Sequence, residues 1–212
     1  MTIGLLGGSF NPAHDGHLAI SLYALKHMEC NAVWWLVSPQ NPLKPGKDMA
    51  ALNARMARAE QMTAAHPRLV VTDIETHLGT RYTADTLRAL RRRFPHTRFV
   101  WLMGGDNLRQ IPRWRDWQDI FHTVPVAVFR RPSYIAGRGF GHAAIRFGAF
   151  WHPPAAAHAL SHTPLPAWTV LDNKLNYISA TQIRKDNPTW PAQKRKRPAK
   201  NPPPRKPSPR KP

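Results

Sequence analysis

The 212-residue sequence predicts an α/β fold: an open, mostly parallel sheet with helices on both faces. Three features carry that expectation. Short apolar runs recur along the chain and read as buried strands. Stretches with apolar residues at helical spacing separate them, so the strands must be joined by crossovers, which makes their pairing parallel and covers both faces. Turn signals follow the strands at Gly7-Gly8, Ser38-Pro39 and Gly104-Gly105-Asp106. In such sheets ligands bind at the carboxyl ends of the strands, where the strand order switches.

In chain order, Ile3 to Leu6 is the first strand. Gly7 and Gly8 then allow a sharp turn and a close approach to a ligand, since neither has a Cβ. Asn11-Pro12 marks a turn, and from Gly16 a helix begins with Leu18, Leu22, Leu25 and Met28 on one stripe. Ala32 to Val37 is a second strand, followed by a proline-rich loop that carries Lys44. Ala50 to Ala65 reads as a helix with Leu52, Met56, Ala59 and Met62 at helical spacing, stopped by His66-Pro67. Leu69 to Val71 is a third strand, and a helix ends near Phe94. Arg98 to Met103 is a fourth strand, Asp116 to His122 a short helix and Val124 to Phe129 a fifth strand. Loops and one short helix are expected over 133–166, and Thr169 to Leu171 is a last strand.

Composition narrows the function classes. One cysteine, Cys30, excludes an intramolecular disulfide and fits a reducing cytoplasm. No basic leader with an apolar core precedes the first strand, so a cytoplasmic location is expected. Residues 147–171 carry no charge, but four prolines and three histidines argue against a membrane span. Of the formal net charge of +19, nine cations and no acid lie in 188–212, which leaves +10 on residues 1–187. Those 25 residues also hold nine prolines and are expected to form a disordered basic tail behind a domain of residues 1–187. Such a tail suits non-specific polyanion binding, and the remaining positive charge favours anionic ligands such as nucleotides.

The stretch that carries chemistry is Gly7-Gly8-Ser9-Phe10-Asn11-Pro12-Ala13-His14-Asp15-Gly16-His17. A glycine turn that delivers backbone N–H groups to a helix N-terminus is a natural phosphate site, because the positive end of the helix dipole faces the ligand. His14 and His17, three residues apart, can both reach one polyphosphate. A second stretch, Ile178-Ser179-Ala180-Thr181-Gln182-Ile183-Arg184, brings hydroxyls, backbone donors and a guanidinium towards one anion. Ser179 or Thr181 could equally be a helix cap, and the two roles are compatible. Trp114, just after Pro112-Arg113, is placed for its ring to stack on a ligand.

These two stretches resemble the paired signatures of the nucleotidylyltransferases, a superfamily with a Rossmann-like fold. The form Gly-Gly-Ser-Phe-Asn-Pro-x-His-x-Gly-His is most similar to the nicotinate/nicotinamide mononucleotide adenylyltransferases. That resemblance implies an enzyme that joins ATP to nicotinate mononucleotide, giving the deamido dinucleotide and pyrophosphate in NAD biosynthesis. It assigns His14, His17 and Arg184 to the reacting phosphates. Gly8, Ser9, Phe10, Asp106, Ser179 and Thr181 go to ATP. Lys44, Tyr82, Thr83 and Trp114 go to the acceptor, with the pyridine ring held by Trp114 and the Tyr-Thr-x-Asp-Thr-Leu segment. Magnesium is expected to enter bound to ATP, with no dedicated protein metal site. The same transfer to nicotinamide mononucleotide or phosphopantetheine stays open as an alternative. So does a basic nucleic-acid-binding module without catalysis, although the intact His14, His17 and Arg184 speak against it.

Overall fold

Each of the six apolar runs becomes a strand, as β1 (Thr2–Gly8), β2 (Ala32–Val37), β3 (Leu69–Thr72), β4 (Arg98–Gly104), β5 (Val126–Arg130) and β7 (Trp168–Asp172), and the two-residue β6 (Trp151–His152) joins them. The structure is a computed structural model and describes residues 1–39, 49–130, 141–172, 183–184 and 190. The seven strands form one sheet in the order β3-β2-β1-β4-β5-β7-β6, and every pairing is parallel. The helices are α1 (Asp15–His27), α2 (Leu52–Thr63), α3 (Ile74–Leu78), α4 (Thr83–Arg93), α5 (Gly105–Gln110), α6 (Trp117–Thr123) and α7 (His142–Arg146).

Successive strand side chains point to opposite faces, so a sheet buried on both sides needs apolar residues at every position. That is what the runs supply. Ile3 and Leu5 of β1, Phe99, Trp101 and Met103 of β4, and Val126 and Val128 of β5 enter one apolar layer, shared with Leu87 and Leu90 of α4 and Ile120 and Phe121 of α6. Leu6, Val33, Trp35, Val100, Leu102 and Ala127 enter the other layer, with Ile20 and Ala24 of α1 and Ala59 of α2. The chain runs from β1 outward to β2 and β3, then returns to place β4 on the other side of β1. The strand order therefore switches between β1 and β4, and a crevice at their carboxyl ends is the expected ligand position.

Several local expectations change. Gly7 and Gly8 are the last two residues of β1, and the left-handed residue of the turn is Phe10 (φ 44°). Gly7 is demanded by packing instead: a Cβ there would lie 2.2 Å from Cη2 of Trp101. Gly7→Ala must displace that buried indole, so it should destabilise the fold by about 1–3 kcal/mol in urea unfolding. An unchanged midpoint would contradict this packing. The α1 stripe also differs. Its buried face is Ile20, Ser21 and Ala24, whereas Leu22 is exposed. The short helix α3 has no counterpart in the sequence reading, α5 begins within the turn signal at Gly104-Gly105-Asp106, and β6 with two 3₁₀ segments lies within the region read as loops and one short helix.

Candidate active site

At the crevice the two histidines hold each other. The His14 N–H donates to Nδ1 of His17 (3.1 Å), and the Gly16 N–H donates to Nδ1 of His14 (3.1 Å). This is a reciprocal cap on α1 in which both side chains are histidines. With Nδ1 occupied as an acceptor in each ring, the neutral imidazole carries its hydrogen on Nε2. The rings lie 3.8 Å apart between centroids and tilted by 32°. Beneath them Phe10 contacts His17 (4.6 Å) and stacks on Trp35 (5.1 Å). Trp35 Nε1–H donates to Ser21 Oγ (2.7 Å), whose hydroxyl donates to the His17 carbonyl (2.8 Å). The Phe10 side chain is thus a buried support for His17, and Phe10 could meet a ligand only through its backbone.

Arg55 of α2 ties this loop to the neighbouring strand end. Its guanidinium is buried and donates to the carbonyls of Ser9 (2.6 Å), Ser38 (2.7 Å), Pro39 (3.1 Å) and Ala50 (2.9 Å). Burial pushes its titration below the usual arginine range. Arg55 was not anticipated from sequence, although its place on one helical stripe with the buried Ala59 and Thr63, at successive steps of four, is the signal that could have found it. Arg55→Ala leaves four carbonyls without their donor, and a loss on the order of 3 kcal/mol or more is expected. Arg55→Lys should recover only part of it, as one ammonium cannot span the same fork. Thermal unfolding of the two variants checks both statements.

Arg184, from the second signature, arrives at the same loop: its Nη1 donates to the Asn11 carbonyl at 2.5 Å. The two stretches, 173 residues apart, therefore meet. Asn11 Oδ1 accepts from the Ala50 N–H (3.3 Å) and from Trp190 Nε1–H (3.0 Å). Trp190 lies in the stretch assigned to the tail, and no local pattern pointed to it. Gly8 ends β1, and its carbonyl accepts the Ser38 N–H (3.0 Å). Asp106 is the second residue of α5, directly after β4.

The residues that the resemblance assigns to the acceptor are built separately. Tyr82 precedes α4 in extended conformation and its side chain does not cap the helix, whose first residue is Thr83. Trp114 follows a 3₁₀ turn at Ile111–Arg113, half-buried against the core layer of α4 and α6. The Arg115 guanidinium lies over the Tyr82 ring (4.9 Å), and Arg88 of α4 pairs with Asp116 (3.4 Å). These contacts bring the Trp114 loop and the Tyr82-Thr83 segment together. Glu75 of α3, also unanticipated, links this end to Ser38: Thr86 Oγ1 donates to its carboxylate (3.2 Å) and the Ser38 side chain bonds it as well. Cys30 is buried, and burial pushes its thiol up to about 12, which leaves it inert as a nucleophile. Lys44, Ser179 and Thr181 lie outside the described residues.

The cytidylyltransferase-like family model matches residues 5–186. A probable nicotinate-nucleotide adenylyltransferase of Parvibaculum lavamentivorans is 50% identical over 184 residues, which cover 87% of this chain and 91% of the relative. Another, from Cereibacter sphaeroides, is 53% identical over 185 residues, covering 87% and 97%. The chain belongs to the nicotinate-nucleotide adenylyltransferase family. It is therefore a nucleotidyltransferase with a Rossmann-like sheet. For the fold alone, a Plasmodium falciparum nicotinic acid mononucleotide adenylyltransferase complexed with NaAD superposes with a TM-score of 0.67 at 14% identity, over 87% of this chain and 82% of that one. Among the described residues of the enzyme, no helix is long and apolar enough to cross a membrane.

Proposed function

We propose that this chain transfers the adenylyl group of ATP to nicotinate mononucleotide, forming nicotinate adenine dinucleotide and pyrophosphate on the route to NAD. The observation that supports it most is the reciprocal cap, which fixes two imidazoles with their Nε2 hydrogens at the N-terminus of α1 beside the strand switch point.

The chemistry follows from the groups present. An oxygen of the acceptor phosphate, already ionised at neutral pH, attacks the α-phosphorus of ATP. The bond from that phosphorus to the bridging oxygen breaks, and pyrophosphate leaves with the electron pair. No general base is required. The transition state needs alignment and neutralisation of charge on the α-phosphoryl and the leaving group. His14, His17, the first-turn N–H groups of α1 and Arg184 would supply it, with Gly8, Ser9, Asp106, Ser179 and Thr181 along ATP. Tyr82, Thr83, Trp114 and Lys44 would hold the acceptor. Magnesium belongs to the reading as an ion carried on ATP with several waters and few protein ligands. A cytoplasmic site of action, and salt-sensitive polyanion binding by residues 188–212, are separate parts of the proposal that the reaction does not need.

The test is acceptor-dependent release of pyrophosphate from MgATP by the purified chain, with nicotinate mononucleotide, nicotinamide mononucleotide and phosphopantetheine offered in turn. Fastest turnover with the first is expected. Faster turnover with phosphopantetheine would replace the proposed acceptor class.

A further inference from the structure

Glu75 is a buried carboxyl that the proposed mechanism does not use, and it sits behind the helix end assigned to the acceptor. It is the second residue of α3, 9% exposed, and Oε1 accepts from Thr86 Oγ1 at 3.2 Å. Thr86 stands one turn into α4, and the same hydroxyl also lies 3.2 Å from the carbonyl of Tyr82 and 2.9 Å from Thr80 Oγ1. A hydroxyl has one hydrogen to give. An ionised Glu75 can only accept, so it draws that hydrogen; a protonated Glu75 can donate, and frees it for the Tyr82 carbonyl or Thr80 Oγ1. The charge on Glu75 thus decides both the local field and the hydrogen-bonding at the first turn of α4.

We propose that Glu75 is a specificity-determining residue for the acceptor: neutral, it lets the Thr83 end of α4 take a ring carboxylate, and ionised, it opposes that carboxylate and tolerates a carboxamide. The inference rests on the reading above that this helix end holds the acceptor's ring substituent. Burial is the main influence on the carboxyl and raises it to about 7, against the smaller opposing effect of hydrogen bonds from Thr86 and Ser38. Below that pH the neutral form prevails; above it the charged form does.

Among the described charges on the neighbouring segments, Arg81, between Thr80 and Tyr82, is exposed. Asp73 pairs with His77 (3.4 Å) and Asp85 with Arg88 (3.4 Å). Arg55, beyond Ser38, donates to four carbonyls, and Arg115 lies over Tyr82. Arg91, Arg92 and Arg93 stand at the far end of α4.

The experiment is the ratio of kcat/KM for nicotinate mononucleotide to that for nicotinamide mononucleotide, followed from pH 6 to pH 8.5. Both acceptors carry the same phosphate, so its titration cancels in the ratio. In the unaltered chain the ratio should fall by about tenfold as Glu75 ionises. In Glu75→Gln it should stay flat. Thr86→Val, which removes a hydrogen bond to the ionised form, should move the fall to higher pH and keeps the test decisive if Glu75→Gln does not fold. A flat ratio in the unaltered chain, a slope that persists in Glu75→Gln, or a midpoint unmoved in Thr86→Val overturns the proposal. Turnover of neither mononucleotide overturns the acceptor reading itself, and the proposal with it.

Discussion

His17→Ala should lower kcat by about a hundredfold or more while changing the KM for ATP only a few-fold. The ring is held from three sides: by the His14 N–H on Nδ1, by Phe10 and by Trp35. Its Nε2–H is therefore preorganised, and a preorganised donor acts most strongly where charge develops, at the α-phosphoryl and the leaving pyrophosphate. The substitution also removes half of the α1 cap, which costs about 1 kcal/mol of stability. A thermal melt separates that loss from the kinetic one. If kcat is unchanged and only the KM for ATP rises, His17 binds the substrate but does not stabilise the transition state.

The second large effect concerns the acceptor. Carboxylate and carboxamide differ by one charge and by the replacement of an acceptor with a donor. Backbone N–H groups at the start of α4, which the Tyr82 side chain does not cap, favour the acid. The amide would set its own N–H against donors, and preference for nicotinate mononucleotide should reach on the order of 10²-fold in kcat/KM at pH 6.5. Trp114→Ala should raise the KM for the acceptor by about tenfold or more and leave that for ATP nearly unchanged, since the role proposed for the ring is stacking at one end of the site only. Equal kcat/KM for both mononucleotides would defeat the specificity argument, and an equal rise in both KM values for Trp114→Ala would defeat the placement of Trp114.

The sheet was legible because a doubly covered strand must be apolar throughout, and Ala32 to Val37 or Arg98 to Met103 can hardly be read otherwise. The histidine loop was legible as well, since its spacing and its position at a strand-to-helix junction are local properties. The role of Gly7 was misread as a turn because the residue that requires it, Trp101, is remote in sequence. The helices α3 and α5 have five and six residues, too few for a helical repeat of apolar positions to show. Gly79, left-handed at φ 63°, is the one mark that closes α3. Arg55, Glu75 and Trp190 escaped for a common reason. Each is a polar or amphipathic group whose partners lie outside its own element, and only Arg55 carries a local hint, the steps of four to Ala59 and then Thr63.

The central claim is adenylyl transfer onto the phosphate of nicotinate mononucleotide. The most direct measurement is to follow ATP labelled at the α-phosphate in the presence of magnesium, the purified chain and nicotinate mononucleotide. All of the transferred label should appear in a dinucleotide with the mass of nicotinate adenine dinucleotide, with unlabelled pyrophosphate released in equal amount. Label that remains in ATP, or that appears in AMP without any dinucleotide, would contradict the account.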